Sequence, residues 1–425
     1  MSEVAALLQE LIRLDTTNPP GNETSAAELL RDYLEENSVE CELYAKVPER
    51  ANLVARIPGR GDGPRLALIS HTDVVLADRD EWTRDPFGGE LVDGEVWGRG
   101  ALDMKGQVAA SAVALATLAR EGFRPGGDLI FVAAADEEVG DGLGMEWLCN
   151  EHPDAVRCEY ALNEGGGERL ELGGRAFWIC SVAEKMSSPF RIEVRGRSGH
   201  ASMPGIADNA LLKAAAIIER LGAYRPERRH NQETEAFVRA VLGEAPTADE
   251  AVERARELDP LVATMLEPLL SLTLAPTMID ASRKRNVIPA LCSITVDCRL
   301  PPGQTQAEAE TVIRKAIGGP DGYELEWIEA QGGTRSPIGT PLWDVVESFV
   351  ERIEPGARAA PICSAGFTDS HWLRVAFGTV AYGFFPARMD PDVAARLIHS
   401  ADERVPVDDL ELGVEFLCYA ARVFA

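Results

Sequence analysis

The first third of the chain alternates two apolar periods. Apolar residues three and four apart over Met1 to Leu14 and Ala26 to Glu36 predict amphipathic helices, and Gly106 to Glu121 reads as an Ala-rich helix. Ser25 and Glu28 open the second helix at capping-box spacing. Short apolar runs at Arg65 to Ser70, Asp128 to Ala135 and Glu159 to Leu162 predict buried strands. Strands separated by helices imply an α/β fold with a mostly parallel sheet covered on both faces. From Pro189 the pattern changes. Arg191-Ile-Glu-Val-Arg195 alternates polar and apolar, as a half-exposed antiparallel strand does. A helix (Asn209 to Leu221), strands near Leu272 to Met278 and Ser293 to Arg299, a helix (Gln306 to Ala316) and a strand (Tyr323 to Glu329) follow. That order is the ferredoxin-like α+β arrangement. A Glu- and Arg-rich stretch with helical spacing, about 223–270, interrupts it, and Pro341 to Ala425 returns to helix-strand alternation. The expectation is an α/β domain of residues 1–185 and 332–425, interrupted by an inserted α+β domain of residues 186–331.

Composition narrows the function classes. With 45% hydrophobic and 26% charged residues, the 425-residue chain is globular and neither disordered nor fibrous. A net charge of −27 repels phosphate backbones and anionic lipids, so neither nucleic acid nor a membrane surface is an expected partner. The N-terminal pattern, with Glu3, Glu10 and Arg13 among its leucines, is not that of a secretory signal. The longest uncharged apolar run, Val108 to Ala119, is shorter than the roughly 18 residues of a membrane span. Eight cysteines without a Cys-x-x-Cys pair read as reduced, buried thiols of a cytoplasmic protein. No Gly-x-Ser-x-Gly elbow is present, and Gly59-Arg-Gly-Asp-Gly63 precedes its strand, the wrong side for a phosphate loop.

In open α/β sheets ligands collect beyond the carboxyl ends of strands. There the sequence has His71-Thr-Asp73, Asp136-Glu-Glu138 and Asn163-Glu164, with Asp103 in the Gly98 to Gly106 loop ahead of the Ala-rich helix. Carboxylates gathered in a cleft repel one another and lose hydration unless cations neutralise them. One imidazole amid so many oxygens suits a divalent metal.

The chain resembles the M20 metallopeptidase family of aminoacylases, acetylornithine deacetylase, succinyl-diaminopimelate desuccinylase and glutamate carboxypeptidases. The matching text runs through Ser70-His-Thr-Asp-Val-Val75, Trp82, Asp85-Pro-Phe87, Gly98-Arg-Gly-Ala-Leu-Asp-Met-Lys-Gly106, Asp136-Glu-Glu138 and Asn163-Glu-Gly165. It continues through Gly199-His-Ala-Ser202, Asn286-Val-Ile-Pro289 and His399-Ser-Ala-Asp-Glu-Arg-Val405. The resemblance implies a zinc-peptidase-like catalytic domain with an inserted lid and dimerisation domain. It also implies two Zn2+ per chain, replaceable by Co2+ or Mn2+. Asp103 would bridge them, with His71 and Glu164 completing one site and Glu138 and His399 the other. His371 is a competitor for the last ligand, less close to the family's C-terminal motif. Asp73 would orient His71, Glu137 would be the general base, and His200 would steady the oxyanion, in a partner subunit or its own. Arg299, Asn286 and Gly366 would hold a substrate α-carboxylate.

The implied reaction is amide hydrolysis of N-acyl amino acids or small peptides by a homodimer. A carboxypeptidase or dipeptidase of the same family, or an inactive binding protein on this fold, are the alternatives. Leu76 stands where the family often has Pro, and Ala365-Gly366 where it often has two glycines.

Overall fold

The computed structural model describes residues 2–319 and 322–424. Met1 and Ala425, the outer ends of two segments read above, lie outside the described residues. The chain divides into two compact units. One comprises Met1–Val182, Ser336–Ile362 and Thr368–Ala425, the other Ala183–Arg335 and Cys363–Phe367.

The first unit is built on a mixed sheet. Its strands include β1 (Glu40–Ala45), β2 (Ala51–Ile57), β3 (Leu66–His71), β4 (Leu129–Ala134) and β5 (Tyr160–Asn163). The spatial order is β1-β2-β4-β3-β5, then Val380–Gly383, Arg175–Glu184 and Arg358–Ser364. The middle of the sheet is parallel: β4 with β3, β3 with β5, and β5 with Val380–Gly383. The flanks are antiparallel, at β1 with β2, β2 with β4, and Val380–Gly383 with Arg175–Glu184. Alternate residues of the central strands enter two different cores, because successive side chains of a strand point to opposite faces. Leu66, Leu68, Leu129 and Phe131 pack in the core that contains Val108, Leu115 and Phe416. Ala67, Ile69, Ile130 and Val132 pack with Met145, Leu148 and Leu373. Burial on both faces is what gives these strands their continuous apolar runs.

The second predicted helix spans Thr24–Glu36, two residues earlier than its pattern suggested, and the capping box does not form. The Ser25 hydroxyl donates instead to the Asn22 carbonyl, 3.0 Å away. The Thr24 hydroxyl accepts from the Ala51 amide, tying the helix start to β2.

In the second unit, Phe190–Arg195 pairs antiparallel with Leu291–Leu300 on one side and Tyr323–Trp327 on the other. Thr273–Asp280 pairs with the far edge of Leu291–Leu300. Taken as first to fourth in chain order, the strands lie fourth, first, third, second, all antiparallel. The helices Ala210–Ala223 and Gln306–Ile317 supply Ala214, Ile217, Ala309 and Ile313 to the core of this sheet. The interrupting stretch forms the helices Gln232–Leu242, Ala248–Leu258 and Pro260–Leu266. Capping boxes at Asn231/Thr234 and Thr247/Glu250 start the first two. The buried Lys185 ammonium donates to the carbonyls of Pro268 and Ser271, anchoring the end of the insertion.

Candidate metal centre

His71 is the last residue of β3 and is buried. Its Nδ1 lies 3.0 Å from the Asp73 carbonyl oxygen and 3.4 Å from Asp73 Oδ1. The carbonyl is thus the nearer acceptor for the imidazole. The Asp73 carboxylate does more elsewhere: it accepts the amides of Glu137 at 3.2 Å and Glu138 at 3.1 Å, and Asn18 Nδ2 at 3.0 Å. One buried carboxylate therefore ties the end of β3 to the loop after β4.

That loop begins at Asp136, a non-glycine residue at φ 66°. Such backbone persists only where surroundings over-determine it. Here the Asp136 carboxylate accepts from the Leu143 amide, from Asn18 Nδ2 and from Arg50 Nη2. Arg50 is itself buried and clasps the buried Glu23 through Nε and Nη2.

Around His71 Nε2 lie Asp103 Oδ1 at 3.2 Å, Glu164 Oε1 at 3.8 Å and Glu137 Oε2 at 3.9 Å. Asp103 turns its other oxygen to His399: Oδ2 is 2.9 Å from His399 Nε2, which also lies 3.2 Å from Glu138 Oε1. The six side chains expected from the sequence at the metals and the base are therefore brought together in one unit. Donor atoms of His71, Glu137 and Glu164, and of His71, Asp103 and Glu138, each fall within 4.8 Å of one another, close enough to hold a metal ion.

Burial pushes Glu137 well above the usual carboxylate range, reinforced by the charge of Glu164. Burial likewise raises Glu164, to about 8, against the pull of His71. Hydrogen bonds to Asp103 and Glu138 raise His399 to about 10. For His71 burial opposes the charged form, but bonds to Asp103 and Asp73 outweigh it and raise it well above its ordinary value. Carboxyls driven to hold protons and imidazoles driven to hold positive charge are what crowded anions do without enough cation nearby. The donor set fits divalent metal.

Four further candidates belong to the second unit. His200 and Asn286 are neighbours there: the two-residue strand Gly199–His200 pairs with Val287–Ile288, and the Ala201 amide donates to the Asn286 carbonyl. Both are exposed. His200 Nδ1 accepts from the Ser202 amide at 3.2 Å, which leaves the proton of the neutral ring on Nε2. Arg299 is already paired with Asp297, Nη2 to Oδ2 at 3.0 Å. The Gly366 amide donates to Ser364 Oγ. His371, the competitor, is the second residue of the helix Ser370–Phe377, its ring edge-on to Trp372.

Residues that sequence reasoning passed over are the buried polar and charged side chains behind the centre: Asn18, Glu23, Arg50, Arg99 and Glu403. Glu403 stood inside the quoted C-terminal motif, and its position there was the available signal.

A mixed α/β unit thus carries a cluster of His and carboxylate side chains beyond its strand ends, and the chain is interrupted by an α+β unit. The sequence pattern of peptidase family M20/M25/M40 matches residues 67–423, and the chain belongs to this family of hydrolases. It is 30% identical to a succinyl-diaminopimelate desuccinylase of Cereibacter sphaeroides over 96% of this chain and 94% of that one. It is 28% identical to aminoacylase-1 of Sus scrofa, covering 94% and 89%. In fold it is similar to an M20 family metallo-carboxypeptidase from Sulfolobus solfataricus, with a TM-score of 0.75 at 17% identity, covering 100% and 99%. Among the described residues no helix is long and apolar enough to cross a membrane.

Proposed function

We propose that the protein is a metal-dependent deacylase that hydrolyses the amide bond of N-acyl amino acids bearing a free α-carboxylate. The observation that carries this reading is Asp103, whose two carboxylate oxygens face two different imidazoles, His71 and His399. On this reading two Zn2+ ions would be held by His71, Asp103, Glu138, Glu164 and His399, with Asp103 available to both sides of the cluster. Co2+ and Mn2+ suit the same oxygen-rich set. Such ions polarise an amide carbonyl and bring the pKa of water toward neutrality. Glu137 accepts the proton of the attacking water and returns it to the leaving amine. Asp73 sets the height of that base by holding its amide. His200 donates from Nε2 to the developing oxyanion, and Arg299, Asn286 and Gly366 receive the α-carboxylate. The deacylase reading is preferred to a peptidase because two relatives that align over nearly their full length are a desuccinylase and an aminoacylase.

The test is a panel of N-acetyl, N-succinyl and longer N-acyl amino acids with dipeptides, assayed before and after chelation. Turnover of at least one N-acyl amino acid is expected, lost with chelator and restored by Zn2+, Co2+ or Mn2+. Activity indifferent to chelator, or no turnover on any amide with an α-carboxylate, overturns the reading.

The inserted unit is proposed to join two copies of the chain. Supporting this are the outer strand Thr273–Asp280, with Met278 68% and Ile279 51% exposed, and Leu212 on the helix Ala210–Ala223, 69% exposed. Light scattering should give twice the 46.0 kDa chain mass; a mass equal to one chain retracts the dimer. A cytoplasmic home is proposed from the eight cysteines, all free thiols and seven of them buried, which suit a reducing compartment.

A further inference from the structure

We infer that Glu403 is a positioning residue for the metal centre, holding the Asp103 loop in register with the turn that carries His399; the inference rests on the two-metal reading above. Glu403 is completely buried. Its Oε1 accepts the amides of Leu102 at 2.7 Å and Asp103 at 3.0 Å. Its Oε2 accepts the Gly100 amide at 3.1 Å and Arg99 Nη1 at 2.7 Å. The Glu403 carbonyl accepts the Gly98 amide at 2.9 Å. One residue thus takes five donors from the Gly98 to Asp103 segment.

The other end of this connection is the His399 turn. His399 and Asp402 both have positive φ, 59° each, so the chain doubles back sharply between the imidazole and Glu403. Asp402 fixes that turn from outside, accepting the Thr83 amide and hydroxyl through Oδ1. Leu102, Asp103, His399 and Glu403 therefore form a closed circuit, completed by the 2.9 Å approach of Asp103 Oδ2 to His399 Nε2. Roughly 300 residues of sequence separate its two halves, and the Glu403 carboxylate is what spans them.

Both oxygens of Glu403 face donors only. Glutamine has the same shape, but whichever way its amide is turned, an NH2 group confronts either the Leu102 and Asp103 amides or Gly100 and Arg99. Aspartate keeps the charge and is one methylene too short to serve both sides. A role confined to charge is met by aspartate; a positioning role is met by neither.

Wild type, E403Q and E403D are purified, stripped with chelator and titrated with Co2+ alone, following stoichiometry, affinity and the visible absorption bands of the bound ion. Outer partners of metal ligands typically contribute about 10- to 100-fold in affinity. The expected order of Co2+ affinity is wild type, E403D, E403Q, with E403Q about 10- to 100-fold weaker and its bands shifted. Variants that fold, judged by circular dichroism, and bind Co2+ with wild-type affinity and bands overturn the inference. Should E403Q fail to fold, E403D carries the test by the same criteria. Wild-type protein that takes up no Co2+ overturns the two-metal reading and this inference with it, a result seen without any variant.

Discussion

Glu137→Gln is expected to lower kcat by about 10³-fold or more while leaving the metal content of the purified protein unchanged. General base catalysis contributes about 10² to 10⁴ in rate, and glutamine preserves the shape of the side chain while removing its ability to take a proton. The backbone placement should survive, because Asp73 holds residue 137 through its amide and not its side chain. The substitution also separates two roles that geometry leaves close together. Glu137 Oε2 stands 3.9 Å from His71 Nε2, almost as near as Glu164 Oε1 at 3.8 Å. A variant that loses turnover and one equivalent of metal together makes Glu137 a ligand. Near wild-type turnover with metal intact places the base elsewhere. Elemental analysis beside steady-state kinetics distinguishes all three results.

The second large effect is on stability. Arg50→Met should destabilise the first unit by about 3–5 kcal/mol, the usual cost of removing one partner from a buried ion pair. Arg50 is 5% exposed and Glu23 fully buried, so the carboxylates of Glu23 and Asp136 are left in the interior without their shared cation. Burial already pushes both above the usual carboxylate range, and Arg50 is among the groups pulling them down. Without it they rise further. A carboxyl whose pKa is higher folded than unfolded binds more protons in the native state, so stability falls as pH rises through that interval. The deficit of R50M should therefore be largest at neutral pH and shrink toward pH 5. Urea midpoints across pH check this, and the double variant E23Q/R50M should recover part of the loss. Equal deficits at pH 5 and pH 7 would remove the electrostatic explanation. Activity should fall as well, since Asp136 starts the loop that carries Glu137 and Glu138.

The contrast between these two residues shows what the sequence could disclose. His71, Glu137, Glu138 and Glu164 were legible because a strand written as a continuous apolar run ends visibly, and the polar residues after it fall at one edge of the sheet. Arg50 and Glu403 carry the same charges as surface residues; nothing local distinguishes Arg50, and Glu403 is marked only by its place in the His399 to Val405 motif. Their burial depends on partners 27 to 304 residues away. The flanking strand β1 was passed over for a related reason. β1 is largely exposed and interleaves Glu40, Glu42 and Tyr44 with apolar positions, so it lacks the run that marks β3 and β4. Antiparallel pairing at the flanks, in a sheet read as mostly parallel, involves β1 and β2 on one side and Arg175–Glu184 on the other. The ferredoxin-like order was legible because half-exposed strands alternate strictly, and Phe190–Arg195 does so.

The strand Val380–Gly383 lies between β5 and Arg175–Glu184, in the middle of the first sheet. A ribosome making this chain at about 5–20 residues per second reaches that strand some 10–40 s after finishing β5. Until then the nascent protein presents β5 with one unsatisfied edge, and Glu164 beyond it has no completed sheet to stand on. The centre can therefore form only after Val380–Gly383 and His399 have been made. An unpaired strand edge is a general route to aggregation, so this interval leaves β5 open to intermolecular pairing.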